Sequence, residues 1–253
     1  MQSIGLILTQ LPNDLLAAWA ITKKDIGMYY LKPQTIMFGV MFPLAMFFSF
    51  ALGKNVPPAT LIPGLLAITV FFSSSSIGPT AIPIERRVKT FERLVSAPIS
   101  YYSIFLGKTL GGFVFGLVIA IIPLLIGLLW FETQVIHLAT MALGLGLASL
   151  CFAALGIMFA AYPTENPGDI MMMLNFVRLP LIFISGVFLP VGSMPAWGQI
   201  AAVFSPLTYA NDVIAFALLG TSHYGPVLDC VVLLAFIGVF QSAGLLLARK
   251  FRE

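Results

Sequence analysis

Hydrophobic positions in this chain gather into six long blocks, separated by short polar breaks. The blocks cover residues 34–52, 60–84, 103–130, 135–162, 170–189 and 227–248. Each is close to the ~20 apolar residues that a helix needs to cross a bilayer. The second and third are long, so tilt or an interfacial end is expected of them. Pro43, Pro63, Pro123 and Pro180 fall inside the blocks. Membrane helices tolerate proline where neighbours re-satisfy the freed carbonyls. Ahead of the first block, residues 13–31 mix Leu15, Leu16, Trp19 and Ile26 with Asp14, Lys23, Lys24 and Asp25. That mixture is too polar to span and predicts an amphipathic helix lying in the membrane interface. Asn13 or Asp14 would cap its start, and Trp19 would sit at headgroup depth. Residues 191–219 are apolar but interrupted at Pro195 and Pro206. They predict a pair of short helices dipping into the outer leaflet, shielded by protein. The alternative reading joins 207–219 to the sixth span.

The expected fold class is therefore all-α. It is a polytopic membrane protein of six transmembrane helices, with an N-terminal interfacial helix and short re-entrant extracytoplasmic helices between spans five and six. Composition agrees. Of 253 residues, 59% are hydrophobic and 9% charged, and mean hydropathy is +1.01. A soluble domain is about a quarter charged, so this chain lacks the polar surface to coat a globule. Charge also orients it. Eleven of thirteen Lys and Arg fall before span one, between spans two and three or just inside the start of span three (Lys108), or after span six. Lys54 is on the other side and Arg178 lies within a span. The positive-inside bias puts both termini and the loop at 85–100 in the cytoplasm, as an even number of spans requires.

Catalytic chemistry is not apparent. His137 and His223 are far apart, near the outer ends of spans, and no metal-ligand spacing is present. Gly107-Lys108-Thr109 resembles the tail of a phosphate-binding loop, but Tyr102 stands where its first glycine belongs. No nucleotide site and no nucleic-acid partner is expected of this chain. An ion-coupled secondary transporter or a channel is the alternative class. The spans hold almost no acidic residue to carry a coupling ion, and no filter-like motif. A membrane-embedded enzyme would need polar groups converging near one leaflet. Asp229, at the outer start of span six, is expected to reach water. Arg178 is the exception inside a span. Burying it costs at least ~2.5 kcal/mol, so with Asn175 it is expected to line an internal surface or a subunit interface.

Six charges crowd into 85–100, ERRVKTFERLVSAPIS: Glu85, Arg86, Arg87, Lys89, Glu92 and Arg93. Val88, Phe91, Leu94 and Val95 share one helical face, and Pro98 closes the segment. Glu85 and Lys89 are spaced as an i, i+4 pair. A short amphipathic helix able to dock another protein is predicted. Gly107, Gly111, Gly112 and Gly116 open span three at small-xxx-small spacing, which lets helices pack closely.

These residues carry a resemblance. Glu85-Arg86, then Thr90-Phe91-Glu92-Arg93-Leu94, Ser96-Ala97-Pro98-Ile99-Ser100 and Gly107-Lys108 are similar to the coupling region of ABC type 2 exporter permeases. Lys89 departs from that pattern, where glycine is common. Ser185-Gly186-Val187-Phe188-Leu189-Pro190, Met194-Pro195, Trp197 and Pro206-Leu207-Thr208-Tyr209 with Asp212 resemble the family's fifth span and outer helices. The match extends over nearly the whole chain and is nearest the drug-resistance and lipo-oligosaccharide exporter branch of bacteria and archaea. The resemblance implies a permease in a prokaryotic cell membrane, with two copies forming the pathway among the membrane lipids. Two copies of a separate cytosolic ABC ATPase would bind ATP and Mg beneath it. Glu85, Arg86, Arg87, Thr90, Phe91, Glu92, Arg93 and Leu94 would form the coupling helix seated in that ATPase.

Overall fold

The structure, a computed structural model, describes residues 2–51, 58–131 and 133–250. The readings that fall on Leu52, Lys54 and Arg252 lie outside these residues. Among the described residues every regular element is helical. Helix α1 (Gln2–Tyr29) starts well before Asn13. Asp14 does not cap it; its Oδ1 accepts a hydrogen bond from Ser103 Oγ at 2.6 Å. A good capping residue permits a helix start but does not enforce one where the preceding residues also favour helix. Next, α2 (Pro33–Ile36) passes through a π-helical turn (Met37–Met41) into α3 (Phe42–Ala51). Together they cover the region of the first expected span, broken in its register.

Four long helices follow: α4 (Ile62–Arg87), with the short α5 (Thr90–Val95) after it, then α6 (Tyr101–Trp130), α7 (Leu138–Ala160) and α8 (Pro167–Ile184). Two short helices, α9 (Ala196–Val203) and α10 (Pro206–Leu219), meet at a 91° bend. The chain ends its described part in α11 (Pro226–Lys250). Five of these helices, α4, α6, α7, α8 and α11, are singly long and apolar enough to cross a membrane. At 8 and 14 residues, α9 and α10 are too short to cross alone. The alternative that fuses 207–219 with the last span fails, because Gly220 takes a left-handed φ of +70° and ends α10. Residues 221–225 then separate it from α11.

The core is built around α4, buried along almost its whole length and enclosed by α6, α7, α8 and α10. A helix buried on all sides normally carries large apolar residues, but the middle of α4 reads Ser73-Ser74-Ser75-Ser76. Small side chains there let neighbouring backbones close in. The hydroxyls of Ser73 and Ser76 donate back to the carbonyls of Thr69 and Phe72, at 2.6 and 2.5 Å, and Ser75 does the same to Phe71. Ser74 Oγ meets Ser149 Oγ of α7 at 2.9 Å. Apolar packing surrounds this seam: Phe71 lies edge-on to Phe152, with ring centres 4.7 Å apart.

The bundle has two distinct ends. One gathers α1, α5, the α7–α8 turn and the last turn of α11. At the other, the carboxylate of Asp212 accepts from the backbone N–H groups of His223 and Tyr224 and from Ser222 Oγ, and so folds the loop before α11. Asp229 beneath this loop is fully buried. It does not reach water as its place near a helix end suggests.

Candidate functional site

The charged end of the bundle holds a cluster that joins three helices. Lys108, in the second turn of α6, is 1% exposed. Its Nζ lies 2.6 Å from Glu85 Oε1 of α4 and 3.0 Å from Asp25 Oδ2 of α1. Lys24 pairs with both carboxylates from the rim, 3.0 Å from Asp25 Oδ1 and in close contact with Glu85 Oε1. Tyr29 donates its hydroxyl to Glu85 Oε1 at 3.3 Å. Two acids and two amines balance to zero net charge, the condition under which buried ions are sustainable. Burial, reinforced by the negative charge of Glu85 and Asp25, pushes the Tyr29 phenol well above its ordinary range. Burial pulls Lys24 down, but the two carboxylates outweigh it and its pKa is raised. Both therefore stay protonated across the physiological range.

Around this cluster α1 lies close to α6. A Cβ on Gly107 would stand 2.6 Å from the carbonyl oxygen of Ala18. Gly107's own carbonyl accepts from Thr22 Oγ1 at 2.9 Å. Gly111 faces Asp25 more loosely, at 3.6 Å, and its carbonyl accepts from the Tyr30 hydroxyl at 2.8 Å. Gly112 and Gly116 face Ser74 of α4 instead. A Cβ on Gly112 would come 2.5 Å from the Ser74 carbonyl oxygen, and one on Gly116 would overlap the Ser74 hydroxyl.

The segment at 85–100 divides differently from a single helix. Glu85, Arg86 and Arg87 form the last turn of α4, and α5 begins only at Thr90. Between them Lys89 adopts φ +59°, ψ +17°, the left-handed conformation that ends a helix and favours glycine. Glu85 is accordingly not on a docking face; it is buried and held by lysines that the linear pattern did not pair with it. Lys89 instead meets Glu92 at 3.1 Å and Glu165 of the α7–α8 turn at 3.8 Å. Arg86 is also committed inward. It donates to the carbonyls of Ala161, at 3.2 Å, and Tyr162, and lies over the Phe91 ring at 5.4 Å. An arginine there satisfies orphan carbonyls at the end of α7.

Arg87, Thr90, Glu92 and Arg93 are exposed, and Leu94 is half-buried. Phe91 packs toward the small apolar cluster of Ile82, Phe105, Ile157, Ala160 and Ala161. Val88 remains exposed, so the four apolar residues do not form one buried face. Beside α5 runs a groove of about 540 Å³ between Phe91, Glu92 and Val95 on one side and Pro163, Thr164 and Glu165 on the other.

Arg178 and Asn175 separate in role. Arg178 is fully buried against α4. Nε and Nη2 donate to Ser75 Oγ at 3.1 and 2.6 Å, Nη2 reaches Ser76 Oγ at 3.3 Å, and the guanidinium lies 4.9 Å from the Phe72 ring centre. Within the chain it staples α8 to α4 and exposes nothing to a pathway or partner. Asn175 accepts from Arg178 Nη1 at 3.2 Å. It also faces an open apolar groove of about 360 Å³ with Met172, Phe176 and Leu179.

Sequence reasoning missed Asp25, Lys108, Lys24 and Tyr29 as a group. Lys108 entered there in the charge count, in the rejected phosphate-loop tail and in the Gly107-Lys108 pair of the family pattern, never as a partner of Glu85. The available signal was an opposite charge near the same end of each of three segments.

The described residues thus form a polytopic helical bundle with a buried charge cluster and a short exposed helix at one end. Residues 17–219 match the ABC-2 type transporter family, and the chain belongs to it. It is similar to the inner membrane transport permease YadH of Escherichia coli K12, with 26% identity over 180 residues, 71% of this chain and 70% of that protein. It is also similar to the probable multidrug ABC transporter permease YbhR of the same strain, with 25% identity over 166 residues, 60% of this chain and 42% of that protein. The chain is a transmembrane subunit of an ABC transporter.

Proposed function

We propose that this chain is the permease of an exporter in a prokaryotic inner membrane. In this reading two copies form the pathway, and two copies of a separate cytosolic ATPase, which bind ATP and Mg, drive it. Both termini and α5 face the cytoplasm. The carrying observation is the wiring of the charged end. Arg87, Lys89, Glu92 and Arg93 stand exposed on and beside α5, while the two residues just before them are tied inward. Glu85 links to α1 and α6 through Lys24, Asp25 and Lys108. Arg86 links to the end of α7. A push on α5 by a soluble motor therefore reaches α1, α6 and α7 through α4. The α5 groove, with Glu92 and Glu165 on opposite walls, is where the motor would seat. Asn175, Met172 and Phe176 on the open face of α8 suit an apolar or amphipathic substrate, or the second permease copy.

The test is the double charge reversal Glu92→Lys with Arg93→Glu, measured in vesicles of the complete complex. Transport is expected to fall at least ~10-fold while ATP hydrolysis persists or the ATPase dissociates, the size of effect that follows from losing ~1.4 kcal/mol of coupling. Normal transport by this variant would contradict the assignment.

A further inference from the structure

From Asp14 onward, helix α1 is packed inside out. Its buried side carries Ala18, Ile21, Thr22, Asp25 and Tyr29, small or polar for the most part. Its exposed side is the greasier one: Leu16 is 67% exposed, Trp19 57%, and Leu31, just beyond the helix end, 87%. Leu15 and Met28 extend this face. A helix facing water has the opposite pattern. Lysines interrupt the greasy face. Lys23 and Lys32 are exposed and make no ion pair among the described residues, and the Lys24 side chain is 39% exposed. The acids that could neutralise them point away. Asp25 is fully buried, and Asp14 is engaged with Ser103 of α6. The exposed side of 14–32 is thus apolar and positive, with a tryptophan at its centre.

We propose that this face binds anionic phospholipid headgroups, with Lys23 and Lys32 on the phosphates and Leu15, Leu16, Trp19 and Leu31 in the acyl boundary beneath them. The pattern matches interfacial helices that take both apolar and electrostatic contributions from a lipid surface. Uncharged lipid satisfies only the apolar half of this face, and a protein partner would have to match three lysines with acids. Lys24 stands where this surface meets the buried cluster, bonded to Glu85 and Asp25 and open at its outer edge. Headgroup charge at α1 is thereby felt at the helix end that carries α5. This inference does not depend on the identity of the motor or on the direction of transport.

The test uses the full chain with Trp130→Phe and Trp197→Phe, both exposed positions, leaving Trp19 as the single tryptophan. The protein is placed in phosphatidylcholine vesicles doped with bromine-labelled phosphatidylglycerol or, in parallel, bromine-labelled phosphatidylcholine. Trp19 fluorescence is expected to be quenched at a roughly thirtyfold lower mole fraction of the anionic lipid, as two lysines near a charged surface would give. Adding Lys23→Gln and Lys32→Gln should bring the two lipids to equality while leaving quenching itself intact. Equal quenching in the chain with its lysines present would overturn the charge selectivity. Failure of both lipids to quench would show the face covered by protein and overturn the proposal altogether. Neither result bears on whether α5 engages an ATPase.

Discussion

Glu85 and Arg86 are neighbours in sequence and part company in space. Glu85 turns into the protein to meet Lys108 and Lys24, and Arg86 crosses to the end of α7. The sequence marked both residues, and helical spacing offered Lys89 as the partner of Glu85. The true partners, 23 and 61 residues away, are set by tertiary packing, which no local period reveals. Breaking a buried ion pair from one side costs ~3–5 kcal/mol. Lys108→Met is therefore expected to lower the unfolding temperature in detergent by about 10 °C, at 2–4 °C per kcal/mol for a chain of this size. Removing both partners, Glu85→Leu with Lys108→Met, leaves Lys24 and Asp25 balanced and should recover most of that loss. A double variant as unstable as the single one would show that packing, not charge, holds the site. Lys89 offers a finer test. Its left-handed backbone costs a non-glycine residue ~1 kcal/mol or more, while its exposed pairs contribute little. Lys89→Gly should raise the unfolding temperature by about 3 °C; a fall would contradict this reading of the turn.

Among the elements, what the sequence displayed best was hydrophobic length. Helices α4, α6, α7, α8 and α11 each overlap one of the visible apolar blocks over most of their length. The early start of α1, the π-helical turn before α3 and the break at Lys89 were not visible, because each depends on local backbone geometry or on a partner helix. Arg178 was conspicuous as a charge in a span, but its docking on Ser75 and Ser76 joins residues about a hundred positions apart. Those serines already donate to carbonyls of their own helix. Replacing Arg178 with Met therefore strands no buried donor, and folded yield should change little. Tight contacts are a stricter test of the α4 seam. A Cβ on Gly156 of α7 would press on the backbone of Ser75, whereas one on Gly146, ten residues earlier, meets nothing within 4 Å. Gly156→Ala should sharply reduce the folded fraction on size exclusion. Gly146→Ala should be neutral or stabilising by up to ~1 kcal/mol, from helix propensity. Equal behaviour of the two would mean that α4 and α7 do not approach as closely as described.

At the scale of the whole molecule, charge and greasiness divide the labour. The spans carry few ions, and the ions near one end are arranged as an inner neutral lock with an outer exposed set on and beside α5. The inner set makes α1, α4 and α6 a single mechanical unit, and Arg86 adds α7. The outer set is what remains free to meet a water-soluble partner. Family membership over residues 17–219 gives that partner its expected nature. The most direct measurement is purification of the tagged chain from its native membrane in mild detergent, with mass analysis of what accompanies it. The account predicts a soluble ATPase in equal amount, lost when Glu92 and Arg93 are reversed in charge and retained when Lys23 and Lys32 are neutralised. A chain that emerges with no ATPase, or one that keeps its ATPase despite the reversed α5, would contradict it.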